Sequence, residues 1–235
     1  MINPFQNRTN SFEEFRYERK FLVSQFHKTQ VEQHLKMHPS GFKKLFQERI
    51  VNNIYFDTPG LMHYYDNVEG EKHRLKVRIR WYGDTFGPIS KPVLEYKIKK
   101  GLLGKKASFK LNPFTLDKNF NKTVIAKAIE NTQIPNALKD ELLSLQPTLL
   151  NRYNRKYFLS DDKKIRVTID SNLTFYRISY FHNTFLNKSN DRETLVLEMK
   201  YDPEMDNLAR NISTFFPFPL TKSSKYLQGL ERISL

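Results

Sequence analysis

Charged and apolar residues alternate along much of this chain. From His73 to Tyr82 it reads His-Arg-Leu-Lys-Val-Arg-Ile-Arg-Trp-Tyr. Successive side chains of a strand point to opposite faces. Arg74, Lys76, Arg78 and Arg80 therefore share one face, and Leu75, Val77, Ile79 and Trp81 the other. Further strand-like runs cover Phe15–Val23, Glu48–Phe56, Val93–Lys99, Lys105–Lys110, Arg152–Leu159, Lys164–Ile169, Leu173–Phe181 and Glu193–Lys200. Turn signals separate several of them: Asp57-Thr58-Pro59-Gly60, Gly83-Asp84, Asp161-Asp162 and the hairpin loop Lys100-Gly101-Leu102-Leu103-Gly104. Helical stretches are fewer, at Lys28–Met37, Leu61–Val68, Asn121–Asn131, Pro135–Leu145, Pro203–Phe215 and Ser223–Arg232. The pattern predicts an α+β chain, mainly antiparallel β, with a closed sheet of eight or nine strands and helices packed outside. Residues 1–13 read as a polar lead-in and 14–235 as one domain, with no repeat or separating linker.

The charged rows recur on other strands. Arg16, Glu18 and Lys20 align; so do Glu95, Lys97 and Lys99, then Arg166, Thr168 and Asp170, and finally Glu198 and Lys200. A single row of this kind is the ordinary solvated face of an antiparallel sheet. Several such rows, made mainly of Arg and Lys with one carboxylate among them, are harder to explain that way. Like charges facing each other across a sheet cost energy, and a bound polyanion would compensate. Closing the sheet puts these rows in a lumen, and a barrel of about eight strands can hold a ligand there. Arg offers a planar fork that matches phosphate oxygens, and Lys a point charge. A lone Glu among them suits a hard divalent cation, Mn²⁺ or Mg²⁺, that bridges phosphate oxygens.

Composition sharpens this reading. The chain has 235 residues and a formal net charge of +14, from 39 Lys and Arg against 25 Asp and Glu. So large an excess points to an acidic partner. Cysteine is absent, which excludes disulfides, thiol catalysis and cysteine-bound zinc, and fits a reducing cytoplasm, the expected compartment. No apolar run is long enough to suggest a membrane span, and Met1–Asn10 has no secretory core. The histidines at 27, 34, 38, 63, 73 and 182 lack metal-ligand spacing and read as surface or packing residues. Gly101-Leu102-Leu103-Gly104-Lys105-Lys106 lacks P-loop spacing and reads as a hairpin, with Lys105 or Lys106 able to reach the lumen mouth.

Eight short motifs follow one another in order: Arg16-Tyr17-Glu18-Arg19-Lys20, Ile54-Tyr55-Phe56-Asp57-Thr58, Lys76-Val77-Arg78-Ile79-Arg80-Trp81-Tyr82, Leu94-Glu95-Tyr96-Lys97, Arg152-Tyr153-Asn154-Arg155, Arg166-Val167-Thr168-Ile169-Asp170, Leu197-Glu198-Met199-Lys200 and Ser224-Lys225-Tyr226. In this set the chain resembles the polyphosphate polymerase domain of the vacuolar transporter chaperone (VTC) family, one of the CYTH-like triphosphate tunnel metalloenzymes. The resemblance implies an eight-stranded closed β-barrel, the triphosphate tunnel. It implies that Lys20, Arg78, Arg80, Lys97, Arg152 and Lys225 act on phosphate as the catalytic set. Arg16, Lys76, Lys106, Arg155, Arg166, Lys200 and Ser224 are expected to add phosphate contacts. Glu198 is expected to be the main metal ligand, with Glu18 and Glu95 holding metal or orienting the basic groups.

One departure from the superfamily pattern is informative. Hydrolytic relatives begin Glu-x-Glu-x-Lys, whereas Arg16 stands at the first of these positions here. Fewer acids favour phosphate binding over water activation. The expected reaction is transfer of the γ-phosphoryl of ATP onto inorganic polyphosphate. Its rivals are hydrolysis of tripolyphosphate or nucleoside triphosphate, and binding of polyphosphate without catalysis. A specific nucleic-acid partner is not expected, because the aromatics fall mostly on the strand faces opposite the Arg rows. The regulatory and membrane domains common in the family are not found in these residues, so coupled export and inositol-phosphate control are not expected. Recruitment by a membrane protein and the oligomeric state stay open.

Overall fold

The computed structural model describes residues 12–13, 16–24, 26–100 and 103–233. Most of the expected lead-in, Phe15 of the first expected strand and Gly101-Leu102 of the hairpin lie outside them, as does the side chain of Lys105.

The strands are β1 (Phe12–Glu13), β2 (Tyr17–Val23), β3 (Lys43–Asp57), β4 (His73–Tyr82), β5 (Gly87–Ile89), β6 (Val93–Lys100), β7 (Leu103–Lys110), β8 (Phe114–Leu116), β9 (Gln146–Leu159), β10 (Arg166–Arg177), β11 (Lys188–Asp191) and β12 (Leu195–Tyr201). The helices are α1 (Lys28–Lys36), α2 (Met62–Glu69), α3 (Lys122–Ile129), α4 (Asn136–Ser144), α5 (Asp206–Thr214) and α6 (Lys225–Ile233). The main sheet runs β1-β7-β6-β4-β3-β9-β10-β12-β2, with β11 on β10, while β5 and β8 form a separate pair. Every pairing is antiparallel.

The runs Lys164–Ile169 and Leu173–Phe181, expected as two strands, are largely one. β10 passes through a register shift between Ser171 and Thr174, where Asn172 takes a left-handed φ of 53°. The irregularity inverts the alternation. Asp170 before it and Leu173 and Phe175 after it consequently face the same side.

The sheet curls strongly. Its outermost strands are β1 and β2, yet only residues 14–16 separate them in the chain. Four residue steps span at most about 14 Å when fully extended, so the two edges must come that close. Glu18 on β2 also reaches Lys97 on β6, with Oε2 to Nζ at 3.2 Å. The closed barrel expected from the sequence is nevertheless not formed, since no ladder joins the two edges among the described residues. The β2 edge is already taken by another segment: Leu220 bridges Phe21 and the Thr221 N–H donates to the Lys20 carbonyl at 2.8 Å.

Apolar rows on the convex side pack beneath helices. Val77, Ile79, Leu94 and Tyr96 meet Ile125, Ala128 and Ile129 of α3 and Leu142 of α4. Phe21, Val167, Ile169, Leu197 and Met199 belong to a second cluster with Val31 and Leu35 of α1 and Ala209 and Ile212 of α5.

The expectation of helices only outside the sheet is corrected by α6 and α2. A third cluster sits on the same face as the charged rows, where Tyr55, Leu149, Tyr153 and Phe175 receive Tyr226 and Leu230 of α6 and Tyr64 of α2. Gly229 permits this approach: a Cβ there would lie 2.4 to 2.9 Å from carbons of Leu149 and Phe175. Asp57, fully buried at the end of β3, locks the two helices. It accepts from the backbone N–H groups of His63 and Tyr64, both at 2.9 Å, and from the Tyr226 hydroxyl. It thus caps the start of α2 from a distance, satisfying donors that have no intrahelical partner.

Candidate functional site

Alternation on β2, β4, β6, β7, β9, β10 and β12, together with Lys225 at the start of α6, brings charged side chains onto one concave face. They form two groups. In the first, Glu95 accepts from Arg78, with Nε at 2.7 Å and Nη2 at 2.6 Å; Arg80 lies 3.6 Å from the same oxygen, and Lys106 2.9 Å from the other. Register explains the meeting, because Arg78 pairs with Glu95 across β4 and β6. Arg80 donates to Asn53 at 2.9 Å, and Asn53 donates to Asn151 at 2.8 Å. This buried amide pair fixes the guanidinium from behind.

The second group centres on Asp170 and Glu198. Arg155 grips Asp170 in bidentate fashion and reaches Glu198 at 3.3 Å. Lys225 lies 2.6 Å from Asp170 and 3.7 Å from Glu198. Lys20 and Lys200 bridge Glu198 to Glu18: Lys20 sits at 3.5 and 3.6 Å from the two carboxylates, and Lys200 at 3.7 and 3.1 Å. Eight cationic side chains thus surround four carboxylates, Glu18, Glu95, Asp170 and Glu198, leaving a surplus of positive charge.

Protonation follows from these partners. Burial works against ionising Glu198, but Lys20, Lys225, Lys200 and Arg155 override it and hold the carboxyl well below its usual range. The same opposition is resolved the same way at Glu95 by Arg78, Arg80 and Lys106, at Glu18 chiefly by Lys200, and at Asp170 by Arg155 and Lys225. All four carboxylates are therefore charged. Burial lowers the pKa of Lys200, despite Glu18 and Glu198 beside it, and also that of Lys76. Lys76 Nζ donates to Ser224 Oγ at 2.9 Å, and burial beside Lys20, Lys97, Arg74 and Arg78 depresses its pKa to about 7.

Two expected residues, Arg16 and Arg152, stand apart. Arg16 lies at the rim, 3.5 Å from Asp202. Arg166 is half-buried, opposite Lys200 in register and on the Asp170 face of β10. Arg152 does not join the cluster. Arg155 occupies the charged face of β9, so alternation turns Arg152 to the convex side, where it lines a separate cavity.

Sequence reading passed over two contributors to the concave face. Tyr153 lies beneath two cations, with the Arg155 guanidinium 5.2 Å and the Lys225 ammonium 4.9 Å from its ring centre. Tyr55 stacks on Tyr226 and accepts from Arg78 at 3.3 Å. Alternation places both tyrosines on the charged side, a signal that aromatic character obscured.

A divalent ion needs oxygen ligands. Among the described residues no three acidic or histidine side chains converge as a metal nest. Glu18 and Glu198 nevertheless face the same pair of lysines, and Mg²⁺ or Mn²⁺ sites commonly use one or two carboxylates plus substrate oxygens. That donor set fits an ion arriving with phosphate. Glu95 fits less well, since Arg78 and Lys106 hold its two oxygens at 2.6 and 2.9 Å, closer than the 3.1 and 3.3 Å of the nearest cations at Glu18 and Glu198.

Comparison with known families agrees with this geometry. The sequence profile of the VTC domain matches residues 15–234. The chain belongs to the VTC domain family. Among curated proteins no sequence matches it significantly. A solved structure of a candidate adenylate cyclase from Vibrio parahaemolyticus shares the fold of this VTC domain at a TM-score of 0.50 and 10% identity, covering 91% of this chain and 96% of that one. Two further structures align at a TM-score of 0.49. One is the PH1819 protein from Pyrococcus horikoshii OT3, at 13% identity, covering 92% of this chain and 96% of that one. The other is a candidate adenylyl cyclase from Hippeastrum, described as having a dominant triphosphatase activity, at 15% identity, covering 93% and 98%. No helix among the described residues of the VTC domain is long and apolar enough to cross a membrane.

Proposed function

We propose that this VTC domain is a metal-dependent polyphosphate polymerase, transferring the γ-phosphoryl of ATP to the end of an inorganic polyphosphate chain and releasing ADP. The observation that carries the proposal is the surplus of Arg and Lys over carboxylates on one curled, partly enclosed face. Phosphoryl transfer needs positioning and charge neutralisation far more than covalent help. Arg78, Arg80 and Arg155 supply rigid forks for phosphate oxygens, and Lys20, Lys97, Lys106, Lys200 and Lys225 supply point charges. Glu95 and Asp170 orient the guanidinium groups of Arg78 and Arg155. Glu198 and Glu18 would hold Mn²⁺ or Mg²⁺, which supplies further neutralisation of phosphate oxygens when bound.

A terminal phosphate is already ionised near neutral pH, so the acceptor needs no strong general base. The four carboxylates are engaged by cations, which leaves none of them suited to activate water. Together with Arg16 at the rim in place of an acid, this favours phosphate over water as acceptor. The face runs along a strongly curled sheet, which suits a linear polymer laid past the site.

The test is incubation of the protein with ATP and Mn²⁺ or Mg²⁺ beside Glu198→Ala, with polyphosphate resolved on a stained gel and free phosphate assayed in parallel. A ladder of long chains, lost in the variant, is expected. Free phosphate without chains would replace the polymerase by a triphosphate hydrolase.

A further inference from the structure

A cavity of about 470 Å³ lies on the convex side of β9 and β10, away from the concave cluster. Pairing assembles its floor: Arg152 is opposite Thr174, and Thr174 is opposite Asn190 of β11. Lys188 and Arg192 also line it, and no carboxylate does. Among the described residues Arg152, Lys188 and Arg192 have no ion-pair partner, unlike the cations of the concave face. Three like charges gathered around one hollow repel, and an anion relieves them.

The lining gives the class of anion. Two guanidinium forks, an ammonium, the Thr174 hydroxyl and asparagine amides suit phosphoryl oxygens more than a single carboxylate. The volume falls within the usual range of small-molecule sites, large enough for several linked phosphoryl groups. The one aromatic ring in the lining, Tyr176, already packs edge-to-face on Phe86 with centroids 5.5 Å apart. That contact engages the ring and leaves recognition to the phosphates. We infer that this cavity is a second oligophosphate-binding site, independent of whatever reaction the concave face performs. Its ligand is a chain of linked phosphoryl groups, whether free or as the tail of a nucleotide.

Protection of Lys188 from acylation tests the inference. Wild-type protein and an Arg78→Ala variant are treated with an N-hydroxysuccinimide ester, with and without inorganic tripolyphosphate, and Lys188 labelling is read by peptide mass spectrometry. Calorimetric titration of wild type and a Lys188→Ala/Arg192→Ala double variant accompanies it. Tripolyphosphate is expected to slow labelling of Lys188 several-fold in both proteins, and the double variant to lose one component of the binding isotherm. Undiminished labelling at saturating tripolyphosphate, or an isotherm unchanged in the double variant, overturns the site. ATP and ADP run in parallel separate the sources: protection by tripolyphosphate alone assigns a free chain, and protection by ATP as well assigns the shared phosphate tail.

Discussion

Arg155 and Asp170 form a buried bidentate pair, Nε to Oδ1 at 2.5 Å and Nη2 to Oδ2 at 2.6 Å, with Lys225 on the same carboxylate at 2.6 Å. Asp170 thus neutralises one strand and one helix at once. Removing one partner of such a buried arrangement leaves charge without compensation, which costs about 3–5 kcal/mol. Asp170→Ala should lower stability by that order in urea unfolding. Tripolyphosphate should restore part of it, because a bound anion stabilises the folded state by mass action. A variant as stable as wild type would show that Asp170 does not hold this group together.

The two arginines of Arg152-Tyr153-Asn154-Arg155 should behave differently. Arg155 lies in the concave cluster and Arg152 on the far side of the strand. Losing a positioned donor to a transferring phosphoryl group typically costs about 10²–10³ in rate. Arg155→Ala should lower chain synthesis by that order, and Arg152→Ala by far less. Equal losses, measured as initial rates of polyphosphate formation, would contradict the placement.

That contrast also shows what the sequence made legible. A period of two cannot put both Arg152 and Arg155 on one face, so only one was available to the cluster. The rows on β4, β6 and β12 read directly, because unbroken alternation sets both the strand and its face. Asp170 was assigned its face but not its role, since nothing local reveals that Arg155 and Lys225 converge on it. The α6 helix was expected at nearly the right residues and on the wrong side of the sheet. Its side depends on Gly229 and on Asp57, contacts that join positions far apart in the chain. The open edge was hidden for a similar reason, because Leu220 and Thr221 cover β2 from outside any strand-like run.

Gly229 should not tolerate a methyl group. An alanine is intrinsically better than glycine in a helix by about 1 kcal/mol. Here its Cβ meets Leu149 and Phe175, both fully buried and without room to withdraw. Overpacking of this kind costs about 1–3 kcal/mol. Gly229→Ala should therefore lower the melting temperature and weaken tripolyphosphate binding, because α6 carries Lys225. An unchanged or raised melting temperature would mean that α6 does not sit tightly on β9 and β10.

Lys76 should make phosphate binding depend on pH. Burial and the neighbouring cations depress its pKa to about 7, from 10.5 for an ordinary lysine. The sign follows. Because the folded value is the lower one, unfolded protein holds more protons between about pH 7 and the ordinary lysine value, and this residue's cost to stability fades as pH rises through that window. Binding runs the other way. A phosphate beside Lys76 favours the charged form, so at pH 8 the free protein must take up a proton on binding, while at pH 6 Lys76 is already charged. Affinity for tripolyphosphate should therefore fall as pH rises above 7. Calorimetry at pH 8 in buffers of different ionisation enthalpy measures the uptake directly. Lys76→Met should reduce it, after subtraction of the ligand's own titration, and identical uptake in the variant would assign the proton to another group.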